Sequence, residues 1–218
     1  MQRIRATYTK TESLRYTGNL DVHKIWERIL RRAHLPISYS KGFHPHPRIN
    51  QACPLPLGIT SQHEILDFWL STEKEIGMVQ TLLEQSLLLG IKILKIESIQ
   101  LNSPALQTQV IAAEYTITFL DPFEQSGFEQ LKNRLGELMS KDTLMRNRRG
   151  KEYDLKPLIQ DIALHPPNNE NLPHLSVILA ARQGATGRPE EVACALDLDL
   201  SSLRIERVKL VLTSEKNL

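Results

Sequence analysis

Several features are scarce in this sequence, and each scarcity narrows the class of protein. Its 218 residues include two cysteines, Cys53 and Cys194, which lie far apart and form no Cys-x-x-Cys pair. We therefore expect two reduced, buried cysteines in a cytoplasmic protein rather than a disulfide framework. No apolar run approaches the roughly 18 residues that a membrane-spanning helix needs. The first residues enter an alternating strand pattern directly and contain no apolar signal-peptide core.

Recognisable catalytic motifs are scarce as well. The acidic residues are scattered, and no Ser-His-Asp or Cys-His arrangement has a local signature. Gly184–Gly187 lacks the lysine and the preceding strand of a phosphate-binding P-loop. We interpret it as a turn whose backbone N–H groups, together with Arg188, hold an anion. The sequence thus contains no self-sufficient active site.

Positive charge, by contrast, is concentrated in two segments. The net charge is +2, but residues 1–50 contain ten Lys/Arg against three Asp/Glu, which leaves the remainder acidic. A second basic island, Lys141–Lys151, contains five cations and one acid, Asp142. Two cationic segments on a nearly neutral chain favour directed anion binding. The alternative is that each is a solvated face that keeps the protein soluble.

One amphipathic helix is predicted over residues 21–34. Its apolar residues follow the i, i+3, i+4 spacing of one helical face: Val22, Ile25, Trp26, Ile29, Leu30 and Ala33. The other face is cationic: His23, Lys24, Arg28, Arg31, Arg32 and His34. Glu27 is the only acid in the helix interior. Asn19 or Asp21 is expected to cap its start, and Leu35-Pro36 to end it.

A basic loop with one aromatic residue follows this helix. It reads Lys41-Gly-Phe-His-Pro-His-Pro-Arg48. A cationic helix edge beside such a loop predicts a surface for a polyanion. Nucleic-acid bases can stack on Phe43, Tyr39, Tyr16 or Tyr153 while nearby cations contact the phosphates, although aromatic residues at strand and loop positions also serve as core.

The histidines allow two further interpretations. His44 and His46 are alternate residues of an extended segment and can reach one metal ion, whereas His63 joins them only through folding. Two ligands do not make a metal site, so we expect no metal here. His44 and His46 then either contact a phosphate or belong to an ordinary turn. His23, near the start of the basic helix, either presents a general base for RNA cleavage or is a polar-face residue without chemistry.

The apolar pattern predicts an α+β protein of two tandem ferredoxin-like (βαββαβ) domains, residues 1–101 and 107–218. The first combines strands at 3–9, 49–53, 63–70 and 91–99 with helices at 21–34 and 73–89. The second combines strand-like runs at 109–120, 151–162, 172–182 and 203–212 with helices that start at Asp121-Pro122 and Arg188-Pro189. The duplication rests on element order alone, because no residue-level repeat is visible.

Several motifs resemble the radical-SAM-linked protein family, a domain of unknown function found beside, or fused to, a cobalamin-binding radical SAM protein. They are Leu14–Tyr16 with Leu20–Asp21, Glu27–Pro36, Tyr39–Pro47, Ala112–Tyr115, Glu152–Ile159 and Gly187–Glu191. Family members often carry Arg or Asn where His44 or His46 stands, which argues further against a metal. The resemblance implies a radical SAM partner that brings the iron–sulfur cluster and the cobalamin. This chain lacks a Cys-x3-Cys-x2-Cys set and is not the radical enzyme itself.

These patterns lead to one principal hypothesis and two alternatives. We expect a non-catalytic RNA-binding accessory domain, without a cofactor of its own, that presents tRNA or rRNA to a radical SAM modifying enzyme. The expected RNA-binding residues are Arg15, Lys24, Arg28, Arg31, Arg32, Lys41, Phe43, His44, His46, Arg48, Arg146, Arg148, Arg149 and Arg188. The first alternative is a protein-only adaptor that docks on that enzyme. The second is a metal-independent endoribonuclease, similar at fold level to CRISPR repeat-processing enzymes, with His23 as its catalytic residue.

Overall fold

The computed structural model describes residues 1–121, 125–167 and 172–213. These ranges contain eleven β-strands and five α-helices, and most paired strands are antiparallel. The α+β class predicted from the sequence is confirmed. No helix in the described ranges has the length and apolar character needed to cross a membrane. The chain divides into two compact units: unit 1 is Met1–Val110 together with Leu212 and Thr213, and unit 2 is Ile111–Val211.

Unit 1 has the element order β-α-β-β-α-β, followed by one short helix. The elements are β1 (Gln2–Lys10), α1 (Asn19–Arg32), β2 (Ile49–Gln51), β3 (Thr60–Leu70), α2 (Ile76–Glu84), β4 (Ile91–Ile99) and α3 (Leu106–Gln109). Strand β1 lies between β3 and β4 and is antiparallel to both, and β2 pairs antiparallel with β3. The predicted order of elements over residues 1–101 is therefore present.

The core of unit 1 lies between its sheet and the apolar face of α1. Ile4, Ala6 and Tyr8 alternate along β1 and are buried, as the two-residue period of a strand requires. Trp26 on α1 is fully buried and meets the ring of Tyr8 edge-on, with the ring centroids 4.8 Å apart. An aromatic pair of this kind contributes about 0.5–1.5 kcal/mol beyond the area that it buries. The apolar spacing of α1 thus determines which helix face docks on the sheet.

The opposite face of β1 carries buried charge instead of apolar residues. Arg3 donates from Nε and Nη2 to Oδ2 of Asp67 at 2.9 and 2.6 Å, and Arg5 donates from Nε to Oδ1 at 2.8 Å. Arg3 also donates to the backbone carbonyls of Ser103 and Pro104. Asp67 is completely buried, so these two guanidinium groups and one carboxylate form a hydrogen-bonded cluster away from water.

Unit 2 contains the remaining elements. They are β5 (Val110–Phe119), α4 (Gln125–Ser140), β6 (Met145–Arg148), β7 (Lys151–Asp154), β8 (Ile159–His165), β9 (His174–Arg182), β10 (Ala185–Thr186), α5 (Pro189–Ala195) and β11 (Leu203–Leu212). Strand β9 pairs antiparallel with β5, β8 and β10, and β11 lies next to β5. Strands β6 and β7 form a separate hairpin.

Several element boundaries differ from the sequence-based predictions. The predicted run 151–162 is two strands, because a 3-10 turn at Lys156–Leu158 separates β7 from β8. Gly18 stands at the cap position of α1 without a side-chain hydrogen bond, so neither Asn19 nor Asp21 caps this helix. Helix α2 ends at Glu84 rather than at Leu89. The predicted helix start at Pro122 lies outside the described residues.

Candidate nucleic-acid interface

The polar face of α1 presents cations to solvent. Arg28 and Arg32 are exposed, and neither has an ion-pair or hydrogen-bond partner among the described residues. Lys24 and Arg31 are exposed too, although each has a loose acidic neighbour one helical turn away: Lys24 Nζ lies 3.8 Å from Asp21, and Arg31 Nη2 lies 3.7 Å from Glu27. Ion pairs at such distances with an exposed cation are weak, and a phosphate can replace the acid. The helix therefore offers an array of cations that few intramolecular contacts occupy.

The basic loop Lys41–Arg48 has an exposed tip, and backbone hydrogen bonds to the preceding Ser38 and Ser40 close its base. Arg48 N donates to Ser38 O at 2.9 Å, and Ser40 N donates to His46 O at 2.8 Å. His46 N in turn donates to Ser40 Oγ at 3.0 Å. Residues 41–45 are all exposed at the tip, and the Phe43 side chain is as exposed as in an extended peptide. A fully exposed phenylalanine on an anchored loop gains no stability from its position, which makes it a candidate contact for another molecule.

Two of the predicted phosphate contacts already have partners within unit 1. Arg15 donates from Nε to the carbonyl of Gly58 at 2.8 Å and from Nη1 to Glu12 at 3.1 Å. The Arg48 guanidinium lies over the ring of Trp69, 4.7 Å from its centroid. A cation held in this way packs against an aromatic face and gives up part of its freedom to reach outward. Arg15 and Arg48 thus have intramolecular partners, whereas Arg28 and Arg32 have none among the described residues.

The histidines lie at separate places. His44 and His46 are exposed on the basic loop. His63 lies elsewhere in unit 1, where it lines a cavity together with Arg5 and Lys95. Within the described ranges, no three or more His, Cys, Asp or Glu side chains are grouped to hold a metal ion. His23 Nε2 lies 3.6 Å from Glu27 Oε1, and the His23 side chain lines a cavity of about 350 Å³ that amide side chains from β2 also border.

Unit 2 brings the second basic island together with the Gly184–Arg188 segment. The two segments border a cavity of about 520 Å³. Its lining residues are Arg148, Arg149, Lys151, Tyr153, Asp154, Leu158, Gly184, Ala185, Thr186 and Arg188. The sequence had indicated an anion site at each segment separately, and the fold places both segments around one space.

The cations of this island differ in their partners. Arg146 Nε lies 3.3 Å from Glu191 Oε2, and both side chains are partly exposed. Arg148, Arg149 and Lys151, by contrast, have no ion-pair partner in the described part of the chain. Arg146 thus ties the β6–β7 hairpin to α5, and the cations nearer the hairpin tip are available to a ligand.

Burial and neighbouring charges shift the pKa of Tyr153. Partial burial raises its pKa above the ordinary value of 10.0, and the nearby Glu191 carboxylate, which accepts a hydrogen bond from the phenol, raises it further. Arg146 and Arg148 oppose this shift by favouring the phenolate. At neutral pH the phenol is therefore protonated, and it donates to Glu191.

One predicted feature of Gly184–Gly187 has a different role. The Gly187 N–H donates to the carbonyl of Ala180 at 2.8 Å, so this donor is used within the strand pairing instead of being directed at an anion. A side chain at Gly187 would meet Cβ of Leu179 at 3.0 Å and Cβ of Leu158 at 3.3 Å, which explains a glycine at this close approach. This N–H is therefore not directed into the cavity, which is lined by the cationic side chains of Arg148, Arg149, Lys151 and Arg188.

Three lining residues had not been singled out as site residues from the sequence: Lys151, Asp154 and Leu158. Lys151 and Tyr153 are two residues apart on β7, and alternate residues of a strand project to the same side. This two-residue spacing from Tyr153 could have identified Lys151 as a site residue from the sequence. Nothing comparable pointed to Leu158, because it reaches the cavity through the 3-10 turn that follows β7.

Comparison with known proteins identifies a family but no activity. The model of a family described as an uncharacterized protein conserved in bacteria (DUF2344) matches residues 3–200, and the chain belongs to this family. No curated protein matches the sequence significantly. A solved structure, a Cbf5-Nop10-Gar1 complex, aligns over 94% of this chain with 9% sequence identity and a TM-score of 0.47. The alignment covers 48% of the other chain, and similarity at this level supports no argument about function.

Proposed function

We propose that this chain is an RNA-binding accessory protein of the cytoplasm that presents tRNA or rRNA to a partner radical SAM modifying enzyme. The observation that carries the proposal is found in unit 1: exposed cations without acidic partners on α1, and a fully exposed Phe43 on an anchored basic loop. Cations that contact the backbone, combined with an aromatic ring on which a base stacks, are the usual means of binding single-stranded or looped RNA.

The proposed division of labour follows from side-chain chemistry. Arg28, Arg32 and Lys41 contact phosphates, Lys24 and Arg31 exchange their loose acidic neighbours for phosphates, and Phe43 stacks on a base. Each phosphate contact releases condensed counterions, so the affinity falls as the salt concentration rises. Stacking depends far less on salt, and it favours a base that is already unpaired. The preferred target is therefore a loop or a bulge rather than a continuous duplex.

The radical SAM partner is proposed from the resemblance of the Leu14–Tyr16, Glu27–Pro36 and Tyr39–Pro47 motifs to the radical-SAM-linked family. In this proposal the partner is of the cobalamin-binding type and carries its own iron–sulfur cluster and cobalamin. The role of the present chain is to bind and orient the RNA. Separating recognition from radical chemistry in this way lets binding energy position the reacting nucleotide.

We also propose that each unit is a ferredoxin-like domain. In unit 1 the support is the order β1-α1-β2-β3-α2-β4 with strand neighbours β4-β1-β3-β2. In unit 2 the strands β11-β5-β9-β8 are neighbours in the corresponding order, with β6, β7 and β10 as additions. An experimental structure that retains these strand neighbours in both units tests this part of the proposal.

A protein-only adaptor is the second candidate, and the exposure of Phe43 favours it as well. An exposed aromatic side chain surrounded by cations also suits the centre of a protein interface with an acidic partner. In this case RNA binding is weak and insensitive to loss of Phe43, and the partner enzyme is retained without RNA. A third candidate, RNA cleavage by His23, requires metal-independent cleavage that His23→Ala abolishes.

The two leading candidates separate in one affinity purification from the organism's own cells. The tagged chain is recovered from lysates with and without nuclease, and the bound RNA is sequenced while the bound proteins are identified. A discrete tRNA or rRNA that survives a high-salt wash, and that the Phe43→Ala variant no longer enriches, supports the RNA-binding proposal. A radical SAM protein recovered equally from both lysates without any enriched RNA refutes it in favour of the adaptor.

A further inference from the structure

The cavity of unit 2 differs from the unit 1 surface in being concave and bounded on several sides. Residues 148–154 form one wall, and residues 184–188 form another. A space of about 520 Å³ lies within the range of sites that hold small molecules or single nucleotides. The cavity therefore has a size that suits one small molecule or one nucleotide.

The charge of the cavity wall is strongly positive. Arg148, Arg149, Lys151 and Arg188 line it, and Asp154 is the only acid among the lining residues. Oδ1 of Asp154 accepts the backbone N–H groups of Leu144 at 2.7 Å and Lys156 at 2.9 Å, so this carboxylate fastens the base of the hairpin.

Only one of the four cations has an acidic neighbour. Arg188 Nη1 lies 3.6 Å from Glu190, whereas the other three cations have no ion-pair partner in the described chain. Three cations gathered at one wall without intramolecular compensation repel one another, and a bound anion relieves that repulsion.

The hairpin backbone presents one of these cations in an unusual conformation. Arg149 and Gly150 connect β6 to β7 with φ of +51° and +76°. Positive φ at both central residues is the requirement of a type I′ turn, in which Asn-Gly is the favoured pair. An arginine at the first position is conformationally costly, and residues held at such a cost are concentrated at functional sites.

We propose that this cavity binds a phosphate monoester carried by a nucleotide. Arg148, Arg149 and Lys151 bind the phosphate oxygens, Arg188 adds a fourth donor, and the nucleoside lies along the wall of Tyr153, Leu158 and Ala185. A terminal phosphate carries about −1.5 to −2 charges at pH 7 and three acceptor oxygens, and it matches this cluster better than a singly charged phosphodiester. The phosphate belongs either to a free nucleoside monophosphate or to a phosphorylated end of RNA.

This inference goes beyond the proposed function, because the unit 1 surface binds internal phosphodiesters and needs no terminal phosphate. The test uses the full chain and calorimetric titration with uridine 5′-monophosphate, with uridine, and with one short RNA carrying either a 5′-phosphate or a 5′-hydroxyl. Saturable binding of uridine 5′-monophosphate without binding of uridine supports the inference and identifies a free nucleotide. Tighter binding of the 5′-phosphorylated RNA than of the 5′-hydroxyl RNA, with no binding of the mononucleotide, supports it and identifies an RNA end.

Two variants and one control assign the binding to the cavity. Arg149→Asn removes the charge and places a residue that the turn favours, so the hairpin is retained. Arg188→Gln removes the cation on the opposite wall, and Arg204→Gln removes an exposed arginine elsewhere in unit 2. We expect each cavity variant to weaken binding of the phosphorylated probe roughly tenfold or more and the control to leave it unchanged, because hydrogen bonds between charged groups are strong.

Equal binding of phosphorylated and unphosphorylated probes overturns the inference, and so does wild-type affinity in both cavity variants. The 5′-hydroxyl RNA keeps this test separate from the proposed function. If substitution of Arg28 and Arg32 abolishes binding of the 5′-hydroxyl RNA, that result bears on the unit 1 surface alone. The inference about the cavity depends instead on the difference between the phosphorylated and the unphosphorylated probes.

Discussion

The two basic regions of this protein carry similar charge in different forms. In unit 1 the available cations are spread along α1 and the tip of the basic loop, beside one exposed aromatic ring. In unit 2 they form the wall of a cavity. An open array suits a polyanion that is contacted at successive phosphates, whereas a bounded cluster suits one multiply charged group. The arrangement of charge, more than its amount, therefore separates the ligands that we propose for the two regions.

Within each region, the arginines that build the structure differ from those that are available to a ligand. Arg48 lies on Trp69, and Arg146 is paired with Glu191. Arg28 and Arg149 have no ion-pair partner in the described chain. The buried Arg3 and Arg5 are the extreme case, because both are hydrogen-bonded to the buried Asp67. Substitutions of structural residues and of available residues are therefore expected to have effects of different size and kind.

The largest effect is expected at the buried cluster of unit 1. Asp67→Asn removes the carboxylate that Arg3 and Arg5 share and leaves two guanidinium groups in a water-poor site. We expect the free energy of unfolding to fall by about 3–5 kcal/mol, as measured by urea denaturation. Glu97→Gln is the matched control, since Glu97 pairs with an exposed lysine and its loss costs at most about 1 kcal/mol. If both variants lowered the free energy of unfolding equally, the buried cluster would be no more important for stability than an exposed ion pair, which contradicts our account.

The next effect concerns Phe43. Phe43→Ala deletes a ring that makes no stabilising contact, so the free energy of unfolding stays within about 0.5 kcal/mol of the wild-type value. Its RNA affinity falls by about 1–3 kcal/mol if a base stacks on the ring. Phe43→Trp is the control and retains binding. A variant that loses stability as well as affinity contradicts the assignment of Phe43 as a free contact.

A smaller pair of effects compares two arginines of the unit 2 hairpin. Arg146→Gln breaks the pair with Glu191 and lowers the free energy of unfolding by up to about 1 kcal/mol. Arg149→Asn places a residue that tolerates positive φ in the turn, and it leaves stability unchanged or raises it slightly. Thermal unfolding of the two variants measures the contrast. A loss of stability in Arg149→Asn and none in Arg146→Gln would reverse our assignment.

The smallest effect is a pH dependence at Tyr153. Because its pKa in the folded protein is raised above 10.0, the folded state holds this proton more tightly than the unfolded state does. The corresponding contribution to stability is present below pH 10 and is lost as the pH rises through the folded pKa. We expect ultraviolet titration of tyrosinate to show one group that ionises above the ordinary value and is missing in Tyr153→Phe. Its titration at or below the ordinary value would contradict the described contacts with Glu191.

Local patterns predicted much of the fold. The apolar face of α1 is the face that packs on the sheet, and β4 runs from Ile91 to Ile99 as predicted. Both elements have a strong period and clear ends. Strand β7 lies within the predicted run 151–162, but β6 and the turn at Arg149-Gly150 were missed. Strand β6 is short and polar, and the turn lies inside a charged stretch. Such a segment has no periodicity that distinguishes it from a loop.

The candidate sites were predictable as segments but not as geometry. The sequence indicated that the two basic islands bind anions, but it contains no information on which arginines acquire partners. Arg48 meets Trp69, and Arg146 meets Glu191, only after residues far apart in the chain come together. The same holds for the cavity, whose two walls are separated by two strands, β8 and β9, in the sequence. Pairing of charge is a tertiary property, and it decides which cations are available for function.

The most direct test of the central claim is the salt dependence of RNA binding by the double variant Arg28→Gln, Arg32→Gln. The matched control removes two exposed cations outside both basic regions, through Lys92→Gln and Arg204→Gln. Each phosphate contact contributes about 0.7 to the slope of log affinity against log salt concentration for a single strand, so loss of two contacts reduces the slope by about 1.4. We expect this reduction, with weaker binding, in the α1 variant and no change in the control. An unchanged slope and affinity in the α1 variant would show that α1 is not the RNA-binding surface.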